Sequence, residues 1–265
     1  MDHNSLWFRV KANDVPAVRM ILENDSRDVN LRGGEIDPVA GRQVNPTTPL
    51  QVAAVDGNLE MASLLLCHGA DVNVRVAYRA YTLLNYCVSH AWHHNRGKSV
   101  PMIELLLQNH ANVESKSTTG STPLNTAAEM CNFGKVTEIL LKHGADVNTV
   151  NKEGYTPIMH SIRFGHEDQF DMLMKCGADI YMKNIDGHTV EDLAHIYSYT
   201  DSHRNIAAKL RRVIELRVTM QKCKVFAMGV KRPLNDKSPV TALPDAGVEN
   251  IIAEVFSMYL TTQQE

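Results

Sequence analysis

The chain has 265 residues, 44% apolar and 22% charged, enough to bury a sizeable core in one elongated domain or two compact ones. A formal charge of -3 and a pI near 6.5 exclude a global attraction to nucleic acid or anionic lipid, leaving only local patches for such contacts. Five scattered cysteines without a CxxC pair, a charged N-terminus and no run of about 18 apolar residues point to an intracellular, cytoplasmic or nuclear protein without a membrane span.

Residues 5–30, SLWFRVKANDVPAVRMILENDSRDVN, predict a degenerate helical hairpin with Leu6, Phe8, Val18, Ile21 and Leu22 facing inward. The insertion at 31–45, LRGGEIDPVAGRQVN, reads as an exposed loop from its Gly and Pro content. A clearer pattern follows in TTPLQVAAVDGNLEMASLLLCHGADVN at 47–73, and it returns at 121–148 and 155–180. Thr122 to Thr156 is 34 positions, and Thr156 to Thr189 and Gly144 to Gly177 are each 33.

Each part of the pattern has a physical reading. Thr48, Thr122 and Thr156 are placed to cap a helix, and the proline after each suits the first helical position, where no N–H donor is needed. Ala53, Ala54, Ala127 and Ala128 permit close helix approach, and Gly57, Gly134 and Gly165 supply the turn into a second helix. In that second helix Met61, Leu64 and Leu65, then Val136, Ile139 and Leu140, form one buried stripe. Gly69, Gly144 and Gly177 provide the left-handed backbone that stops it. One hairpin cannot cover its own stripe, so several must stack.

The third segment, 81–114, departs from the pattern. Leu83 replaces the proline, His110 replaces the terminating glycine, and Thr82 to Thr122 is 40 positions, which implies an insertion around AWHHNRGKSV at 91–100. The last segment, 186–216, keeps Gly187, Thr189 and Ala194 but loses the closing motif, as a terminal cap does. From Arg204 to Arg232 there are nine Lys or Arg against one acid, Glu215, read as a solvated helix face rather than a nucleic-acid or lipid site.

The TPLxxAA opening and LLLxxGADVN close resemble those of the ankyrin-repeat family. The resemblance implies an all-α solenoid of about six helix-turn-helix units with short β-hairpin tips, spanning residues 4–216, followed by a basic linker and helical tail at 217–265. It also implies a concave surface, formed by the tips and the first helices, that binds a protein. The positions matching that surface are Arg75, Tyr78, Arg79 and Tyr81 on one tip, Tyr86 and His90, Glu129 and Met130, and Arg163 and Phe164. Tyr and Arg are residue types that often dominate interface energetics.

In the tail, Pro239, Leu243, Pro244, Ile251, Ile252 and Val255 resemble the core of an F-box, through which such proteins dock on the Skp adaptor of cullin-type ubiquitin ligases. Read physically, residues 245–260 form an amphipathic helix whose apolar stripe must bury itself on a partner or on the chain's own repeats.

Enzyme signatures are missing: no GxSxG, HExxH, Walker or GxGxxG pattern occurs. His90, His93 and His94 with Cys87 could share a helix face, the arrangement a metal-dependent enzyme would use. The spacing is loose and no further acidic or Cys ligand lies nearby, so a surface histidine cluster is expected, with no cofactor. The functional expectation is a non-catalytic adaptor that captures a target and recruits the Skp adaptor. The alternative is a plain scaffold or inhibitor, endogenous or delivered by a pathogen.

Overall fold

The computed structural model describes residues 6–24, 27–36, 43–76, 81–90, 96–130 and 134–230. Helices dominate them, as expected of an ankyrin-repeat solenoid. They are α1 (Leu6–Lys11), α2 (Val15–Asn24), α3 (Pro49–Val55), α4 (Leu59–Cys67), α5 (Leu83–His90), α6 (Arg96–Gln108), α7 (Pro123–Glu129), α8 (Gly134–Lys142), α9 (Pro157–Phe164), α10 (Glu167–Lys175), α11 (Val190–Ile196) and α12 (Asp201–Val230). The chain forms two compact units that divide between Lys152 and Glu153. Residue 216, where the composition changes, lies inside α12.

In the first unit the hairpins α1–α2, α3–α4, α5–α6 and α7–α8 pair internally, and the first helices pack in the order α1, α3, α5, α7. The core is the stripe expected from spacing: Met61, Leu65 and Leu140 are fully buried, with Leu64, Val136 and Ile139 close to it. Each large aliphatic side chain so buried contributes about 1.5 to 3 kcal/mol. The first helices begin as expected. The hydroxyl oxygens of Thr48 and Thr122 accept hydrogen bonds from the backbone N–H groups of Gln51 and Asn125, whose side chains reach back to the cap.

Three local expectations are corrected. The 31–45 insertion is not simply a loop: β1 (Gly33–Ile36) and β2 (Gln43–Thr47) pair antiparallel, with Gly33 opposite Thr47. The pair rests on Trp7, which is 7% exposed and donates its indole N–H to Thr47 Oγ1 at 3.1 Å. A Cβ on Gly33 would fall 2.2 Å from the Trp7 ring, so only glycine allows this approach. Second, residues 96–100 of the later insertion are helical, because α6 starts at Arg96 and carries Pro101. Third, Gly134 opens α8 rather than forming the turn before it.

A hydrogen-bond ladder links the repeats of this unit. Asn30 Oδ1 accepts from the Asp71 N–H at 2.7 Å, Asn73 Oδ1 from the Asn112 N–H at 2.8 Å, and Glu114 Oε1 from the Asp146 N–H at 2.8 Å. Each donor residue's side chain in turn accepts the N–H two residues on, as Asp71 does from Asn73 at 2.9 Å. The residue at the last position of GADVN, here Asn30, Asn73 or Glu114, is therefore a connector to the next repeat.

In the second unit α9 packs on α10, α11 and α12, and α12 also packs on α10 and α11. Thr156 and Thr189 cap α9 and α11. The long α12, about 45 Å at 1.5 Å per residue, replaces the short second helix of a normal repeat. Ile206, Leu210 and Val213 form its buried stripe, and Lys209 Nζ reaches Asp171 Oδ2 at 2.6 Å and Glu167 Oε1 at 2.7 Å. Burial works to lower the Lys209 pKa, but these two carboxylates more than offset it and hold it above its ordinary value.

Candidate protein-binding surface

Within each unit the first helices pack side by side, α1, α3, α5 and α7 in the first and α9 and α11 in the second, and each is backed by its own second helix. In α7 every residue from Pro123 to Ala128 is buried, and in α9 every residue from Pro157 to Ile162. Counting seven residues on from each threonine of the TPL register gives Val55, Ser89 and Glu129 in the first unit, then Arg163 and Ile196 in the second. All five are exposed or half-buried. The next residue repeats the pattern: Asp56 and Met130, then Phe164 and Tyr197, keep surface.

The sequence-based set divides against this geometry. Glu129, Met130, Arg163 and Phe164 lie in the exposed rows. Arg75 is exposed on a hairpin tip, where it bridges Thr82 and its carbonyl accepts from Arg32 Nη2 at 3.1 Å. Tyr81 sits on the same tip but is only 7% exposed. Its carbonyl accepts from the Val76 N–H at 2.7 Å, and its burial leaves little of the ring for a visitor. Tyr86 is half-buried, with burial, reinforced by Cys87, raising its phenol pKa. His90 belongs to α5 by its backbone, while its side chain and all of Tyr78, Arg79, His93 and His94 lie outside the described residues. So do Pro239, Leu243, Pro244, Ile251, Ile252 and Val255.

Val55, 58% exposed, and Ile196, 43% exposed, were not singled out from the sequence, although the threonine register would have found both. Tyr199, 74% exposed in the link from α11 to α12, carries no such signal because it falls after the helix. Ile185, 71% exposed at a tip of the second unit, stands where a polar turn residue is usual.

In the second unit, described side chains cluster around Arg163. The Arg163 guanidinium carbon lies 5.5 Å from the Tyr155 ring centre and 5.6 Å from that of Phe164. His160 connects those rings from below, 5.2 Å from Tyr155 and 6.5 Å from Phe164, and its burial holds the imidazole down at about 3. Tyr199 meets Tyr197 at 6.3 Å and His203 at 6.2 Å, and the His203 Nε2 lies 3.3 Å from the Arg163 carbonyl oxygen.

Other chemistry finds less support. Burial pushes the Cys87 thiol up to about 12, which leaves it protonated and a poor nucleophile or ligand at neutral pH. Among the described residues no group of three or more His, Cys, Asp or Glu is placed to hold a metal. Cys67 ends α4, Cys176 follows the end of α10, and both are exposed. The basic run on α12 is partly consumed: Arg204 pairs with Asp201, Lys209 with Glu167 and Asp171, Arg212 with Glu215, and Arg217 lies 5.3 Å over the Tyr181 ring. No described helix is long and apolar enough to cross a membrane.

These repeats match known ones. Residues 47–76 match the single ankyrin repeat and residues 89–184 match a set of three ankyrin repeats, so these stretches of the chain are ankyrin repeats, modules that bind proteins. The chain is 29% identical over 196 residues to palmitoyltransferase AKR1 of Lachancea kluyveri, covering 74% of this chain and 24% of that protein. It is 30% identical over 151 residues to the probable 26S proteasome regulatory subunit p28 of Saccharomyces cerevisiae, covering 56% and 62%. It is also 30% identical over 141 residues to human ankyrin repeat and SOCS box protein 6, covering 51% and 32%. The chain thus spans between about a quarter and under two thirds of these relatives' lengths.

Proposed function

We propose that this chain is a non-catalytic adaptor: the exposed rows at the ends of its first helices capture a target protein, and the segment after residue 230 recruits a second one. The observation that carries this reading is the recurrence of exposed or half-buried side chains at one register position, Val55 and Glu129 in the first unit and Arg163 and Ile196 in the second, with α3, α7 and α9 otherwise mostly buried. Within each unit, side chains repeated at the period of the fold suit a protein segment rather than a small molecule. Arg75 and Met130 of the first unit and Phe164 of the second are further candidate contacts, and Tyr78, Arg79 and His90 are candidates from the sequence.

The recruited protein is the Skp adaptor of a cullin-type ubiquitin ligase, on the strength of Pro239, Leu243, Pro244, Ile251, Ile252 and Val255. A relative named for both ankyrin repeats and a SOCS box is a precedent for repeats joined to a second box in one chain. Purified Skp adaptor is expected to bind the full chain and to lose that binding on Ile251→Asp with Ile252→Asp. Absence of binding, or binding indifferent to the pair, leaves a scaffold or inhibitor without a ubiquitin role. For capture, Tyr78→Ala with Arg79→Ala is expected to weaken target binding while thermal unfolding stays nearly unchanged. A large fall in Tm would instead mark the two as structural.

A further inference from the structure

The Arg163 cluster has a chemistry that narrows the partner. Arg163 is exposed, and its guanidinium is held against two rings, so fewer rotamers are lost when it binds. Among the described residues no carboxylate forms an ion pair with it. Glu167 and Asp171 on the following helix are taken by Lys209. Apolar side chains of the same unit are left open to water: Phe164, beside the guanidinium, at 45% exposure and Tyr199 at 74%. Tyr199 is tied to the end of the Arg163 helix, because it leans on His203, which in turn meets the Arg163 backbone and packs on Gly165. His203 is also engaged by Thr200 at 2.7 Å.

Resting on the protein-binding reading above, we propose that this patch takes a peptide segment of the target in which an Asp or Glu lies beside a large apolar side chain. The carboxylate pairs with the Arg163 fork, and the apolar side chain covers Phe164 and Tyr199. A carboxylate fits better than a phosphate. Arg163 brings a single guanidinium, and the His203 ring is already committed to Thr200 and to the Arg163 carbonyl.

The test is selection of a random peptide display library on the full chain, followed by titration of selected synthetic peptides by fluorescence anisotropy. Selected peptides are expected to carry Asp or Glu within a few residues of Leu, Phe or Trp. Arg163→Gln and Tyr199→Ala should each weaken them roughly tenfold or more, as for an interface hot spot, while Tm is retained and Arg163→Lys recovers only part of the loss. Peptides without acid enrichment, peptides indifferent to Arg163→Gln, or tighter binding when phosphoserine replaces the acid overturn the proposal. Peptides that depend on Val55 and Glu129 instead overturn it but leave the adaptor reading standing. A selection with no binder dependent on either set overturns both.

Discussion

His110 holds the backbone where three other repeats place glycine: its φ is 65°, against 86° at Gly69 and 83° at Gly144 and Gly177. The third repeat therefore closes like the others despite lacking the glycine, and the steric penalty for a Cβ in this region is about 1 to 2 kcal/mol. His110→Gly is expected to stabilise the protein by about 1 kcal/mol in urea titration, since glycine's extra unfolded freedom returns part of the gain. No change would mean that the imidazole earns its place through a contact. His160 acts in the opposite sense. Its folded pKa of about 3 lies below the ordinary 6.5, so it is neutral when folded and the unfolded chain takes up the proton first. Its contribution is intact above pH 6.5 and falls steadily as the pH drops toward 3. By pH 5 the loss is about 2 kcal/mol, and His160→Leu should flatten the urea-midpoint profile between pH 7 and 5 relative to wild type. An unchanged slope would place the titration elsewhere.

Elements in this protein are joined by two different devices. In the first unit the Asn30, Asn73 and Glu114 ladder runs from repeat to repeat. Asn73→Ala removes one rung at a solvated site and is expected to cost about 1 kcal/mol. In the second unit Tyr181 occupies the same place after GAD, where the connecting side chain would stand, and receives Arg217 of α12 on its ring. There α12 is fixed by its apolar stripe and by Lys209, whose partner Asp171 is kept above its ordinary pKa by burial despite the lysine. Lys209→Ala leaves Asp171 and Glu167 facing each other without a cation and should cost about 1 to 3 kcal/mol. Chemical denaturation checks both values, and a change under 0.5 kcal/mol for Lys209→Ala would reduce the ion pair to surface decoration. The recurring Asn was visible in the sequence as a repeated letter. Its hydrogen-bond partner was not, because that partner is a backbone N–H in another repeat.

Over the whole molecule, stability in a repeat protein is approximately a sum of internal and nearest-neighbour terms. Asn73 makes its contact within the first compact unit and Lys209 within the second, with no shared partner. The double variant is accordingly expected to lose the sum of the single losses to within about 0.5 kcal/mol. A larger deviation would show coupling between the units. The near-neutral net charge and the internal pairing along α12 fit a chain whose affinities reside in local patches rather than in a global field.

The repeat, its period and its core stripe follow from the amino-acid order alone. Thr-Pro caps, helix-stopping glycines and i, i+3, i+4 aliphatics act over a few residues, so their consequences can be read locally. Most of the surface could not be read that way. Tyr81 looked available and is covered, Val55 and Ile196 attracted no notice and are open, and the 31–45 segment pairs into strands because Gly33 admits Trp7. Exposure depends on which neighbouring helix covers a side chain, and that is decided only when distant segments pack together.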